Sequence, residues 1–232
     1  MKNLLNRCAR SAAVMLAATL SCSALAGGGI TLGSTRIIYS ADEKQSSVHV
    51  RNTSDESSYL VQSWIEDAAG NKTKDFVVTP PLYKSAPKNE NILRLIFAAG
   101  QAPQDRETLY YFNAKGIPLI DKKEIEGQNA LVLATVTKIK LFVRPKGLDI
   151  KPEDASKSIY FTVKNGKVFA VNPTPYYITM TDIKSAGKSV PGVMISPKSE
   201  MGLPLSSNSG SVTFKTINDY GGMTKEQSAV FK

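Results

Sequence analysis

Apolar and polar positions alternate along most of the chain with period two, and almost nowhere with the 3.6-residue period of a helix. From Ile30 onward, the runs 35–39, 47–51, 58–65, 76–78, 91–97 and 107–113 read as short strands. Turn residues separate them, such as Asn52-Thr53-Ser54-Asp55 and the stretch from Asp67 to Asn71. Pro80-Pro81 forbids regular ladder pairing at that step. One run differs from the rest. Residues 128–145, QNALVLATVTKIKLFVRP, predict a single long strand with Leu131, Leu133, Thr135, Thr137, Ile139, Leu141 and Val143 on one face. Ala130, Val132, Ala134, Val136, Lys138, Lys140 and Phe142 take the other face, so its first half is apolar or small on both. An antiparallel sandwich strand normally turns one polar face to water, and this one outruns the ~3–10 residues usual for a strand. It is either a fully buried core strand or a strand kept for something outside the chain.

After Arg144-Pro145-Lys146-Gly147 the alternation begins again, which places a domain boundary near residues 145–148. Runs 158–163 and 167–171 flank Asn165-Gly166, a strong two-residue hairpin signal. Asn172-Pro173-Thr174-Pro175 resets the chain before 176–183, and 193–195, 211–217 and 228–231 follow. The pattern predicts an all-β protein of two β-sandwich domains, 27–146 and 147–232, behind a separate segment 1–26.

Segment 1–26 reads as a secretory signal peptide. Lys2, Arg7 and Arg10 precede a short apolar core, and Ala24-Leu25-Ala26 fits the small-x-small cleavage rule. That core is too short to span a bilayer, so no membrane insertion is expected. Removing the three cations lowers the formal charge from +9 to +6, spread along the chain, which argues against nucleic-acid binding. Both cysteines, Cys8 and Cys22, fall in this segment, so the remainder depends on packed cores and not on disulfides. Gly27-Gly28-Gly29 reads as a flexible new N-terminus.

Catalytic chemistry is hard to assemble. The single histidine, His49, lies mid-strand between Val48 and Val50 and reads as a packed or rim side chain. With no other histidine and no cysteine beyond residue 26, neither a zinc site nor a serine triad can form. No nucleophile elbow, P-loop or dinucleotide fingerprint occurs. Glu66 and Asp67 adjoin a turn and read as solvated. No enzyme activity and no cofactor are expected.

Nine local sequences together resemble the periplasmic chaperones of the chaperone–usher pathway of pilus (fimbrial) assembly. They are STRIIY (34–39), YLVQSWIED (59–67), FVVTPPLYK (76–84), NILRLIF (91–97), LYYFNAKGIP (109–118), TKIKLFVRP (137–145), NPTPYYIT (172–179), ISPKSE (195–200) and NDYGG (218–222). The resemblance implies two immunoglobulin-like domains in an L or boomerang, with a cleft between them. It implies that the long strand is lent to a pilus subunit lacking its last strand, with Leu131, Leu133 and Thr135 inserted into the subunit's groove. Threonine departs from the apolar residue usual there. Arg36 and Lys140 match the cleft pair that anchors the subunit's C-terminal carboxylate, an anion that arginine grips bidentately. Lys140 lies opposite in parity to Leu131 and Leu133, so it points off the other face or a bulge intervenes. Glu107, Arg144 and Asp219 match an ionic cluster that fixes the domain angle. The implied partners are pilus subunits and an outer-membrane usher in the periplasm. Separately, an apolar donor strand exposed in free protein invites edge pairing, so a self-capping homo-oligomer is a further expectation. The short loop 120–127 and the missing cysteine pair resemble the short-loop branch of the family. A secreted fibre subunit or adhesin of similar sandwiches is the alternative, and it would need an alternating donor segment at its N-terminus where GGGITLG (27–33) stands.

Overall fold

The computed structural model describes residues 28–120, 131–206 and 210–232. Two hydrophobic cores form, each between two sheets. In the first, one sheet has the order β1(Ile30–Leu32), β3(Ser46–Asn52), β7(Glu90–Phe97), β5(Phe76–Thr79). The facing sheet has the order β2(Arg36–Ser40), β9(Thr135–Arg144), β8(Thr108–Pro118), β4(Tyr59–Asp67), β6(Leu82–Ser85). Period-two patterning drives this. Val48 and Val50, Leu93 and Leu95, Val61 and Ile65, and Phe112 and Ala114 all point inward and are buried together. Their alternate neighbours, such as His49, Ile92 and Arg94, face out. The Pro80-Pro81 step falls between β5 and β6, where the chain leaves one sheet for the other.

The second core lies between β10(Tyr160–Lys164), β11(Lys167–Asn172) and β15(Ser199–Ser206) on one side and the sheet of β13(Lys188–Val190), β12(Ile178–Ser185), β16(Val212–Thr216) and β17(Gln227–Ser228) on the other. β14(Val193–Ile195) also pairs with β12. Phe161, Ala170, Met180, Ile183, Ile195 and Phe214 fill it. Asn165 and Gly166 make the expected hairpin between β10 and β11, both with positive φ (51° and 73°) as the tight turn requires. A short helix α1(Pro152–Ala155), continued by a 3₁₀ turn at Ser156–Ser158, enters the second core through buried Ala155.

Several expectations need correction. The long strand begins at Thr135, and residues 131–134 form no strand; 128–130 lie outside the described residues. A strand exists only where a neighbour takes its backbone hydrogen bonds, and β8 reaches no further than the Gly116–Thr135 pair. β8 itself runs on to Pro118 against β4, well past the stretch its alternation marks. Gly28 and Gly29 are pinned, not loose: Thr53 N–H donates to the Gly29 carbonyl at 2.9 Å, and Tyr59 Oη donates to that of Gly28 at 3.0 Å. Strand β15 has no clear signal because Gly202 and Pro204 interrupt its alternation, and β1, β6 and β13 bury at most one residue each and so show no repeating apolar position.

Candidate functional site

Strand β9 lies between two neighbours for only part of its length. β8 pairs antiparallel with it from Thr135 to Val143, while β2 pairs parallel with it only from Lys140 to Arg144. Among the described residues, 135–139 therefore keep one edge without a partner, on the side β2 occupies further along. The strand also changes character there. Ile139, Leu141 and Val143 are buried in the first core, whereas Leu131 and Leu133, on the same odd-numbered series, are 83% and 67% exposed. Thr135 is exposed too, and so is Val136 on the opposite face.

Arg36 and Lys140 stand where that free edge ends, as direct register partners on adjacent parallel strands. The register runs without a shift from Thr135 to Val143, so Lys140 lies on the even face with Phe142 and Arg144, and no bulge alters the parity. Arg36 Nη1 donates to the Ile217 carbonyl at 3.3 Å, and Lys140 Nζ donates to Thr179 Oγ1 at 3.1 Å. Among the described residues neither cation forms an ion pair, and Arg36 Nε is buried with no acceptor. Desolvation lowers the Arg36 pKa, against the attraction of Asp219 and Glu107; desolvation and then repulsion from Arg36 lower that of Lys140. Two half-buried, mutually repelling cations with spare donors have the chemistry to take up an anion, and a carboxylate fits both a guanidinium and an ammonium.

Glu107, Arg144 and Asp219 do come together. Arg144 Nε donates to Glu107 Oε1 at 2.8 Å, and its Nη1 and Nη2 donate to the Asp219 carboxylate at 2.7 and 2.8 Å. Arg144 ends β9 of the first sandwich, and Asp219 follows β16 of the second, so the guanidinium ties the two together. Glu107, only 3% exposed, also accepts the Tyr177 N–H at 2.8 Å, and its own N–H donates to the Pro175 carbonyl at 2.9 Å. Burial opposes the charge on Arg144, but its bonds to Asp219 and Glu107 overcome this and hold it firmly protonated. For Glu107 burial wins, and its pKa is raised despite Arg144. A cleft of about 230 Å³ opens beside this cluster, lined by Arg36, Phe142, Arg144, Tyr177, Ile217 and Asp219 among others.

Several contributors carry no chemical signal in the sequence. Phe142 turns away from its own core and packs on Tyr177 with ring centroids 5.6 Å apart. Thr179 and the Ile217 carbonyl, both of the other sandwich, accept one hydrogen bond each from Lys140 and Arg36. A neutral hydroxyl and a backbone oxygen are invisible to pattern reading. Glu66 is not simply solvated, since it accepts from Trp64 Nε1 at 2.7 Å and pairs with Lys138 at 2.6 Å. His49 sits on the rim, 2.8 Å from Glu90.

Comparison with known proteins bears on the family and the fold of the chain. Residues 29–149 match the model of the pili and flagellar-assembly chaperone PapD N-terminal domain, and 154–228 match that of the pili assembly chaperone PapD C-terminal domain. The chain is 47% identical over 207 residues to chaperone protein FocC of Escherichia coli, covering 88% of this chain and 91% of that one. It is 38% identical over 223 residues to chaperone protein FimC of Escherichia coli K12, covering 95% and 92%. The periplasmic chaperone SfaE superposes with a TM-score of 0.78 at 44% identity, over 87% of this chain and 100% of that one. The SafB chaperone, solved in complex with the Salmonella enterica pilin SafA, gives 0.78 at 28% identity over 87% and 95%.

Proposed function

The chain belongs to the PapD family of pilus-assembly chaperones, and we propose from that premise how it holds a subunit. It acts in the chaperone–usher pathway, and in this reading it is not an enzyme. The free edge at 135–139 carries the reading. A subunit strand laid along that edge continues β2 backward in line, parallel to β9, and its C-terminus falls at Arg36 and Lys140. There its carboxylate replaces the Ile217 and Thr179 oxygens as acceptor. Leu131, Leu133 and Thr135 then enter the groove of an incomplete subunit sandwich, with backbone bonds supplying affinity and side chains supplying register. Residues 131–134 become strand only when the subunit provides the missing neighbour.

The Glu107–Arg144–Asp219 cluster keeps the two domains at a fixed angle, and with it the cleft. In the same reading 1–26 directs export to the periplasm, 27–146 and 147–232 are the two domains, and a loaded chaperone delivers its subunit to an outer-membrane usher. The fibre-subunit alternative is disfavoured because both chaperone domain models match.

The test is capture of co-expressed pilus subunits by tagged protein, beside Arg36→Ala and Lys140→Ala, with partners identified by mass spectrometry. Subunits on the wild type and few on the folded variants are expected. Equal recovery on all three would remove the anchor assignment.

A further inference from the structure

The NDYGG segment (218–222) contributes more than the carboxylate of Asp219. Its five residues fold around one carboxamide oxygen. Asn218 Oδ1 accepts the N–H of Tyr220 at 3.1 Å and of Gly222 at 2.9 Å. Gly221 N–H donates to the Asn218 carbonyl at 3.0 Å, and Asn218 N–H donates to the Gly222 carbonyl at 2.9 Å. Thr224 clamps the base: its Oγ1 accepts the Thr216 N–H at 2.9 Å, and its own N–H donates to the Thr216 carbonyl at 2.8 Å. A turn with this many internal bonds moves as a unit.

From this unit and the residue before it, three contacts reach the other domain. The Ile217 carbonyl accepts from Arg36, Asp219 grips Arg144, and Gly221 lies directly against Thr35. Gly221 holds φ of +84°, and a Cβ there would overlap Thr35 Oγ1. The charge pair is attractive and its side chains can follow a small displacement. The Gly221–Thr35 contact is a hard stop, set one residue before Arg36.

We propose that turn 218–222 is the bearing on which the two domains seat, with Asn218 and Gly221 as positioning residues and Thr35 as the surface they meet. The stop sets how closely β16 approaches the start of β2, and so sets the place of Arg36 in the cleft. The charges of the cluster are needed for attraction; the depth of seating comes from an uncharged glycine.

Gly221→Ala pushes the domains apart at this point while leaving every charge in place. Thr35→Ala removes the Oγ1 and Cγ2 that the new methyl would meet and leaves only its Cβ, at 3.3 Å. The strain of alanine at φ +84° is common to both variants, so the double variant moves back toward the wild-type seating to the extent that the contact sets it. Two readouts separate the ideas. The first is the interdomain distance by pulsed electron spin resonance between labels at Lys84→Cys and Lys188→Cys, with Cys8 and Cys22 replaced by serine where they persist. The second rests on the carboxylate-anchor reading: affinity for an alternating apolar peptide with a free C-terminus against its amide, by calorimetry.

The expected result is a longer distance and about tenfold weaker preference for the free acid in Gly221→Ala, both moved back toward wild type in the double variant. Asn218→Ala lengthens the distance as well. An unchanged distance in Gly221→Ala, or a double variant no closer to wild type than the single one, overturns the proposal. A wild type that does not distinguish acid from amide overturns the anchor, while the distances still decide the bearing.

Discussion

Arg144 has ligands in three places: Glu107 at the start of β8, Asp219 after β16, and the face of the Tyr176 ring 5.0 Å away. Truncating one member of a buried charge cluster leaves the others desolvated and unpaired, which costs more than the pair contributes net. Arg144→Met is therefore expected to destabilise the protein by about 3–5 kcal/mol, read from urea unfolding followed by the single tryptophan, Trp64. Glu107 gives the same site a pH dependence. Burial raises its carboxyl above the ordinary 4.5, so the folded protein holds this proton more tightly than the unfolded chain does. Its contribution is full below pH 4.5 and is lost as pH rises through the raised value. In urea midpoints measured upward from pH 4.5, Glu107→Gln flattens that decline; a decline of equal slope in the variant would assign it to another group.

Residues 131–144 are two elements in one sequence run. From Ile139 onward the odd face is locked in the core by β2 and β8, while 131–134 have no ladder among the described residues and are exposed. Leu141→Ala is expected to cost about 2–5 kcal/mol, since it empties a fully buried site. Leu133→Ala removes a side chain that is mostly in water and should change stability by less than about 0.5 kcal/mol, yet weaken subunit capture. Denaturation and pull-down on the two variants separate these effects. Comparable destabilisation by both would mean that Leu133 is packed in the free protein.

At the scale of the whole molecule, exposed Leu131, Val132, Leu133 and Val136 beside an unpaired strand edge invite pairing with any similar edge. A second copy of the chain offers one. Free protein is expected to self-associate with rising concentration, seen by sedimentation velocity, and Leu131→Asp with Leu133→Asp should suppress it. Association that survives both changes would place the contact elsewhere.

Period-two alternation alone determines that the chain is nearly all-β, which face of most strands is buried and that the pattern restarts near Pro145, because burial repeats along a strand whatever its neighbours are. It does not show that Leu131 and Leu133 leave the core. The tight Asn165-Gly166 hairpin is equally local, since positive φ at two successive residues demands such a pair. The motif resemblance names Arg36, Lys140, Glu107, Arg144 and Asp219, but their spacing in the chain does not bring them together. The tertiary structure decides that β2 pairs with only half of β9, because pairing depends on a neighbour distant in sequence. The acceptors at Thr179 and Ile217, the covering of Phe142 by Tyr177 and the approach of Gly221 to Thr35 have the same origin. They are contacts between domains, made by a hydroxyl, a carbonyl, a ring and a missing side chain, and none of these has a pattern along the chain.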